Sequence, residues 1–232
     1  MDDENTTTNR QQKIRYLPSS IISSVIFLTV MFIAAGDVKW YSGWIFAALI
    51  LSGNILSLFF LDAGLLKERA RPKSDYKKWD YPLAVIVGRI GPLVMMIIAG
   101  LDHRFSWSGT YPLALTIAGF CLFIIGYVVI FWAMHENRFF SGVVRIQKER
   151  GHHTVSTGPY KLVRHPGYLG SIIYIIGTPF ALASYWALIP AIITAAVTIF
   201  RAGLEDKTLK QELDGYADYT EKVRYRILPG IW

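Results

Sequence analysis

Two stretches of this chain hold the residue types that do chemistry. In TGPYKLVRHPGYLG, Thr157 to Gly170, the basic pair Arg164 and His165 and the aromatics Tyr160 and Tyr168 stand among two prolines and three glycines. Gly158 and Pro159 signal a turn, and Pro166 pushes His165 away from helical geometry, so the stretch predicts a rigid bend presenting donors and aromatic faces. In RAGLEDKTLKQELDGYADYTEKVRYRILPGIW, Arg201 and Glu205 are spaced to share one helical face. A guanidinium there can grip a carboxylate through paired hydrogen bonds, and a carboxylate can hold a cation or take a proton. Both stretches also have plain structural alternatives. Basic and aromatic residues anchor helix ends at membrane interfaces, and a surface ion pair of this spacing contributes only about 0.2–0.5 kcal/mol.

The elements that must position these residues are apolar. The chain of 232 residues is 53% hydrophobic, and a bilayer core takes roughly 20 apolar residues per helix. Runs of that kind lie at Ser20 to Ala35, Tyr41 to Leu61, Pro82 to Leu101 and Tyr111 to Met134. Two shorter runs follow, Gly170 to Ala183 and Trp186 to Phe200, as tilted helices or a tight hairpin with Tyr185 and Trp186 at the turn. The predicted fold is an all-α polytopic integral membrane bundle of about six transmembrane helices. Residues 1–136 supply four N-terminal spans, and residues 137–232 a core of loop, last two spans and tail.

Basic residues orient the bundle. The N-terminal tail holds three Lys or Arg, and the loop Asp62 to Tyr81, the stretch His135 to Pro166 and the tail from Arg201 hold six each. The opposite loops hold only Lys39 and Arg104, so the positive-inside rule places both termini and the two long loops in the cytoplasm. The net charge of +7 is mostly this topology signal, with attraction to lipid headgroups, and points to no nucleic acid. The single cysteine, Cys121, excludes a disulfide framework and a cysteine metal site. His152 and His153 lack the spacing of a metal motif even with His165, so no metal is expected. The N-terminus is polar for longer than a signal peptide allows, so the first span is retained. Arg89, between Gly88 and the Gly91–Pro92 pair, invites a kinked helix aiming it into the bundle, with Asp62 as a candidate partner.

Taken together, GPY at Gly158 to Tyr160, VRHPGYLG at Val163 to Gly170, RxxxED from Arg201 to Asp206, and the following YADYTEKVRYRILP resemble the isoprenylcysteine carboxyl methyltransferase family and its membrane methyltransferase relatives. The resemblance runs from Asn137 to the end, and the first three spans match only as hydropathy. One departure is Asp206, where many members carry a second Glu. The resemblance implies an enzyme binding S-adenosyl-L-methionine between the loop, the last spans and the tail. Gln147, the run His152, His153, Thr154 and Val155, then Tyr160, the run His165, Pro166, Gly167 and Tyr168, and Glu205 would hold that cofactor. Arg201 would face the methyl acceptor, making Arg201 and Glu205 the catalytic pair.

These roles are chemically coherent. The implied cofactor carries a carboxylate, an ammonium, a sulfonium and an adenine, so its site needs donors, a carboxylate and an apolar slot together. Methyl transfer is an in-line displacement helped by alignment and exclusion of water. A carboxylate acceptor is already ionised and needs no base; an amine acceptor would need Glu205 or Asp206 to take its proton. The expected acceptor is lipophilic and enters from the bilayer, as an isoprenylcysteine-type carboxylate or, alternatively, a phospholipid amine. An NADPH-dependent sterol-type reductase is the other alternative, but such proteins resemble RHxNY at the bend, where this chain has Pro166 after His165 and no Asn before Tyr168. A scaffold or transporter would explain the spans and leave the bend and tail unexplained.

Overall fold

A computed structural model describes residues 20–70 and 72–230. The N-terminal tail, assigned above to the cytoplasm, lies outside the described residues. Among the described residues the chain is helical, with no strand. The helices are α1 (Ser20–Ala35), α2 (Tyr41–Phe60), α3 (Ala63–Ala70), α4 (Asp80–Val85), α5 (Gly91–Phe105), α6 (Leu113–Glu136), α7 (Pro166–Ala181), α8 (Leu188–Glu212) and α9 (Tyr216–Lys222). Short 3-10 turns lie at Lys148–Arg150 and Gly158–Lys161.

Among the described residues four segments are long and apolar enough to cross a membrane: Tyr41–Phe60, Asp80–Phe105, Leu113–Glu136 and Leu188–Glu212. Their outward faces carry large apolar side chains, including Trp44, Ile55 and Phe59 on α2, Ile117, Ile125 and Val128 on α6, and Ile189, Ile192 and Ile193 on α8. A soluble domain exposes such patches rarely; a bilayer covers them. α7 has 16 residues, about 24 Å of helix against a core of about 30 Å. Pro166 sets its start, and the chain turns soon after Pro179 through Ala183 in the left-handed region.

α6 and α7 run antiparallel with backbones in contact. A Cβ on Gly126 would stand 2.6 Å from the Gly170 carbonyl oxygen, and one on Gly177 would stand 3.0 Å from the Gly119 carbonyl oxygen. The glycines face each other in pairs, the small-residue packing that lets membrane helices approach closely. Sequence thereby sets geometry, because this contact fixes the N-terminus of α7, and the bend before it, beside the C-terminus of α6.

The helix Asp80–Phe105 is interrupted by a π turn, Ile86–Ile90, in which the Gly91 N–H bonds to the Ile86 carbonyl. The kink foreseen near Gly88 and Pro92 therefore takes this form. It does not aim Arg89 inward: Arg89 is exposed. Asp62 instead accepts the N–H groups of Gly64 and Leu65 and caps α3.

Loops at the two ends differ. At one end Asp102 accepts hydrogen bonds from Ser108 and Ser184, while Trp107 meets Trp186 and Tyr111 meets Tyr185. At the other end the segments 61–80, 137–165 and 213–230 pack together. Buried Arg145 joins the first two, bonding Glu68, Asp75 and Glu149 at 2.5–3.1 Å.

Candidate functional site

α8 does not stop at Phe200 but continues to Glu212, carrying Arg201, Glu205 and Asp206 beyond the apolar run on one uninterrupted helix. Asp206 is buried at 1% exposure and gathers the bend and the tail around itself. Arg164 donates Nε to Oδ1 at 2.8 Å and Nη2 to Oδ2 at 3.1 Å. The Tyr216 hydroxyl donates to Oδ1 at 3.0 Å, Arg226 Nε donates to Oδ2 at 3.0 Å, and His165 Nε2 lies 3.2 Å from Oδ1. Removing a carboxylate from water is costly unless several donors satisfy it, and here both oxygens are shared among several. The tail clasps the bend through backbone as well: Arg164 and His165 donate their N–H groups to the carbonyls of Tyr225 and Arg226 at 2.9 and 2.8 Å.

One residue earlier in the chain, Glu205 accepts the Tyr168 hydroxyl at 2.5 Å. Arg201 and Glu205 do not form the hydrogen-bonded pair that their spacing invites. Arg201 turns to Asp80, donating Nε and Nη2 at 2.6 and 2.9 Å, with Nη2 also reaching the Gly142 carbonyl at 2.9 Å. Its guanidinium carbon stands 5.6 Å from the Tyr168 ring centre. Asp80 in turn accepts the Val144 N–H at 2.7 Å, so one carboxylate fixes both Arg201 and the loop wall.

The loop is built inward from Asn137. Its side chain caps the Phe139 N–H at 2.9 Å and donates to the Tyr160 hydroxyl at 3.2 Å. Burial pushes the Tyr160 phenol up in pKa, so it is neutral. Gln147 is wholly buried, donating to the Phe139 carbonyl at 2.7 Å and accepting from Arg150 at 2.5 Å. His152 Nδ1 accepts the Gln147 N–H at 3.2 Å. Burial, assisted by the neighbouring His153, lowers the pKa of His152 to about 4, so it accepts as a neutral ring. Thr154 donates to the Asp214 carbonyl at 3.0 Å, tying the loop to the turn after α8.

A cavity of about 360 Å³ opens between these parts, within the roughly 300–1,000 Å³ of small-molecule sites. His152, His153, Thr154, Val155, Tyr160, His165, Gly167, Tyr168, Arg201 and Glu205 all line it. Gln147 and Pro166 do not; Gln147 braces the loop behind the wall, and Pro166 begins α7. Sequence reasoning missed Asp80 and Arg69, which lie far upstream with no local pattern to mark them. Among the described residues no group of acidic, His or Cys side chains could hold a metal. The cavity offers neutral donors, a carboxylate, guanidiniums and an apolar wall, suited to a small molecule bearing both charges and a planar ring.

Fold and site together define an all-helical integral membrane protein with a polar cavity at one end of the bundle. The pattern of the phospholipid methyltransferase family matches residues 114–214. Protein-S-isoprenylcysteine O-methyltransferase of Saccharomyces cerevisiae is 38% identical over 86 residues, 37% of this chain and 36% of that protein. Protein-S-isoprenylcysteine O-methyltransferase B of Arabidopsis thaliana is 27% identical over 146 residues, 62% of this chain and 71% of that protein. The probable protein-S-isoprenylcysteine O-methyltransferase of Oryza sativa subsp. indica is 41% identical over 61 residues, 26% of this chain and 32% of that protein. The match thus spans about a third of the length of the yeast and rice relatives. Over residues 114–214 the chain is thus similar to phospholipid methyltransferases, and over parts of its length to protein-S-isoprenylcysteine O-methyltransferases.

Proposed function

We propose that the protein is a multi-pass membrane methyltransferase that uses S-adenosyl-L-methionine to methylate the carboxylate of a lipophilic, isoprenylcysteine-type acceptor at the cytoplasmic face. The observation that carries this is the Tyr168–Glu205 contact at 2.5 Å, which joins the RHPGY bend and the RxxxED helix in one cavity wall. The basic loops and tail support the cytoplasmic placement, and α1 and α7 supply the fifth and sixth crossings, with membrane lipids around the bundle. Residues 137–232 act as the catalytic core, and residues 1–136 supply the other four spans.

The residues present fit that cofactor. Glu205 matches its cationic groups, His152 to Val155 and Tyr160 line a slot with neutral donors and rings, and His165 to Tyr168 form the opposite edge. When bound, it supplies an electrophilic methyl group on a sulfonium. Tyr168 orients the Glu205 carboxylate by its hydrogen bond, and Asp80 holds Arg201 so that Nη1, the guanidinium nitrogen given no partner among the described residues, remains for the acceptor. An acceptor carboxylate held by Arg201 would already be ionised, so neither Glu205 nor Asp206 would have to take a proton. The protein's contribution is alignment and a dry site closed by the tail.

Titration of the detergent-purified protein with S-adenosylhomocysteine and with NADPH tests the reading. Binding of the first is expected; binding of NADPH alone would replace the proposal with a reductase. A phospholipid amine accepted in preference to a prenylated carboxylate would change the acceptor class.

A further inference from the structure

We infer that Arg69 receives the anionic head of the methyl acceptor while the apolar wall beside the π turn takes its chain. The inference rests on the methyltransferase reading and extends it to acceptor recognition.

Four guanidiniums border the cavity: Arg69, Arg145, Arg164 and Arg201. Three are already neutralised, Arg145 by Glu68, Asp75 and Glu149, Arg164 by Asp206, and Arg201 by Asp80. Arg69, in the last turn of α3, has no carboxylate or hydrogen-bond partner among the described residues. Its contact is with a ring, its guanidinium carbon lying 5.4 Å from the centre of Phe140. The cavity leaves Arg69 accessible, yet the protein packed around it disfavours its charge and lowers its pKa. A cation held in this way without a counter-ion is poised for one supplied from outside.

Its position depends on the bend. A Cβ on Gly167 would stand 2.4 Å from Phe140 Cε2, so glycine at this position lets the ring lie against α7 and under Arg69. Beside it Ala84, Val87, Pro92 and Ile130 line the cavity with carbon. Gly88, in the π turn, is exposed, lines the cavity, and has no atom within 4 Å of where a Cβ would be. At Gly88 the wall therefore carries no side chain on an exposed stretch of the helix, where a lipid chain can pass sideways.

The charges complement each other. Glu205 answers the cationic donor and Arg69 the anionic acceptor, while the Arg201–Asp80 pair carries no net charge. Conversion of the carboxylate to a methyl ester removes its charge, so the same contact that holds the substrate releases the product.

The test is equilibrium binding of N-acetyl-S-farnesylcysteine and its neutral carboxamide to the full chain in detergent, with and without S-adenosylhomocysteine. The wild type should prefer the carboxylate by about tenfold or more, as a charge-assisted hydrogen bond provides. Arg69→Gln should cut the preference several-fold, to the part that Arg201 Nη1 supplies, with unchanged S-adenosylhomocysteine affinity, and Arg69→Lys should restore part of it. A preference undiminished in Arg69→Gln, or absent from the wild type, overturns the inference. Failure of the wild type to bind S-adenosylhomocysteine counts against methyl transfer alone, since the carboxylate preference is also measured without it. Arg69-dependent binding of phosphatidylethanolamine, without such dependence for the farnesyl carboxylate, would overturn the assignment to a carboxylate.

Discussion

Arg201 and Asp80 lie 121 positions apart in the chain and are joined by two hydrogen bonds of 2.6 and 2.9 Å. Asp80 is wholly buried and Arg201 is 7% exposed. Breaking one side of a buried pair leaves an uncompensated charge, which costs about 3–5 kcal/mol. Asp80→Ala should therefore lower the thermal midpoint sharply and impair turnover even in the folded fraction, because Arg201 and the Val144 N–H both lose their anchor. Equal thermal midpoints for variant and wild type would contradict this.

Glu205→Ala should weaken S-adenosylhomocysteine binding by about tenfold or more, the worth of a charged hydrogen bond of ~1.5–3 kcal/mol. Tyr168→Phe removes only the hydroxyl that orients the carboxylate and should cost a smaller factor. Arg201→Lys keeps the charge opposite Asp80 but not the planar fork, so cofactor affinity should hold while turnover falls. Calorimetry and a methyl-transfer assay on the same preparations separate these effects.

His152 gives a pH signature. Its pKa is lowered to about 4 in the folded protein, against about 6.5 in an unfolded chain. Between these values the unfolded state binds more protons, so stability rises with pH. The contribution is intact above about pH 6.5 and is lost as pH falls toward 4. His152→Asn, which can still accept the Gln147 N–H, should flatten the decline in thermal midpoint between neutral and acidic buffer. A decline as steep in the variant would assign it to other groups.

Gly170→Ala places a methyl group 2.7 Å from the Gly126 carbonyl oxygen. Backbone cannot yield as a flexible side chain does, so the helices must part, at a cost of about 1–3 kcal/mol. Activity should fall with stability, since parting α6 from α7 moves the bend. Thermal denaturation in detergent reads the first and initial rates the second.

The bend and the tail were legible because proline, glycine and charge cluster there within a few positions, and the apolar runs were legible because a span leaves a long continuous mark. Partner choice was not. Arg201 and Glu205 occupy one helical face as their spacing says, yet each finds a better partner on another element, in Asp80 and Tyr168. A helix face tells which way side chains point, but not which of the surrounding groups wins the contact. Gln147 illustrates the same limit, since an amide reads identically in sequence whether it faces a ligand or braces a loop. The short length of α7 was visible in its apolar run, whereas the continuation of α8 was marked only by the lack of a proline between Phe200 and Glu212, with Gly203 arguing the other way.

The clasp of Tyr225 and Arg226 on the bend has a bearing on how the protein is made. These carbonyls leave the ribosome after every helix they touch, so a nascent chain can insert its bundle while Arg164, His165 and Asp206 still lack part of their enclosure. The bend is thus clasped by residues made after everything they enclose, so its final geometry waits on the segment that follows α9. A chain cut short at Lys222 would keep every helix from α1 to α9 and still leave the door without its bolt.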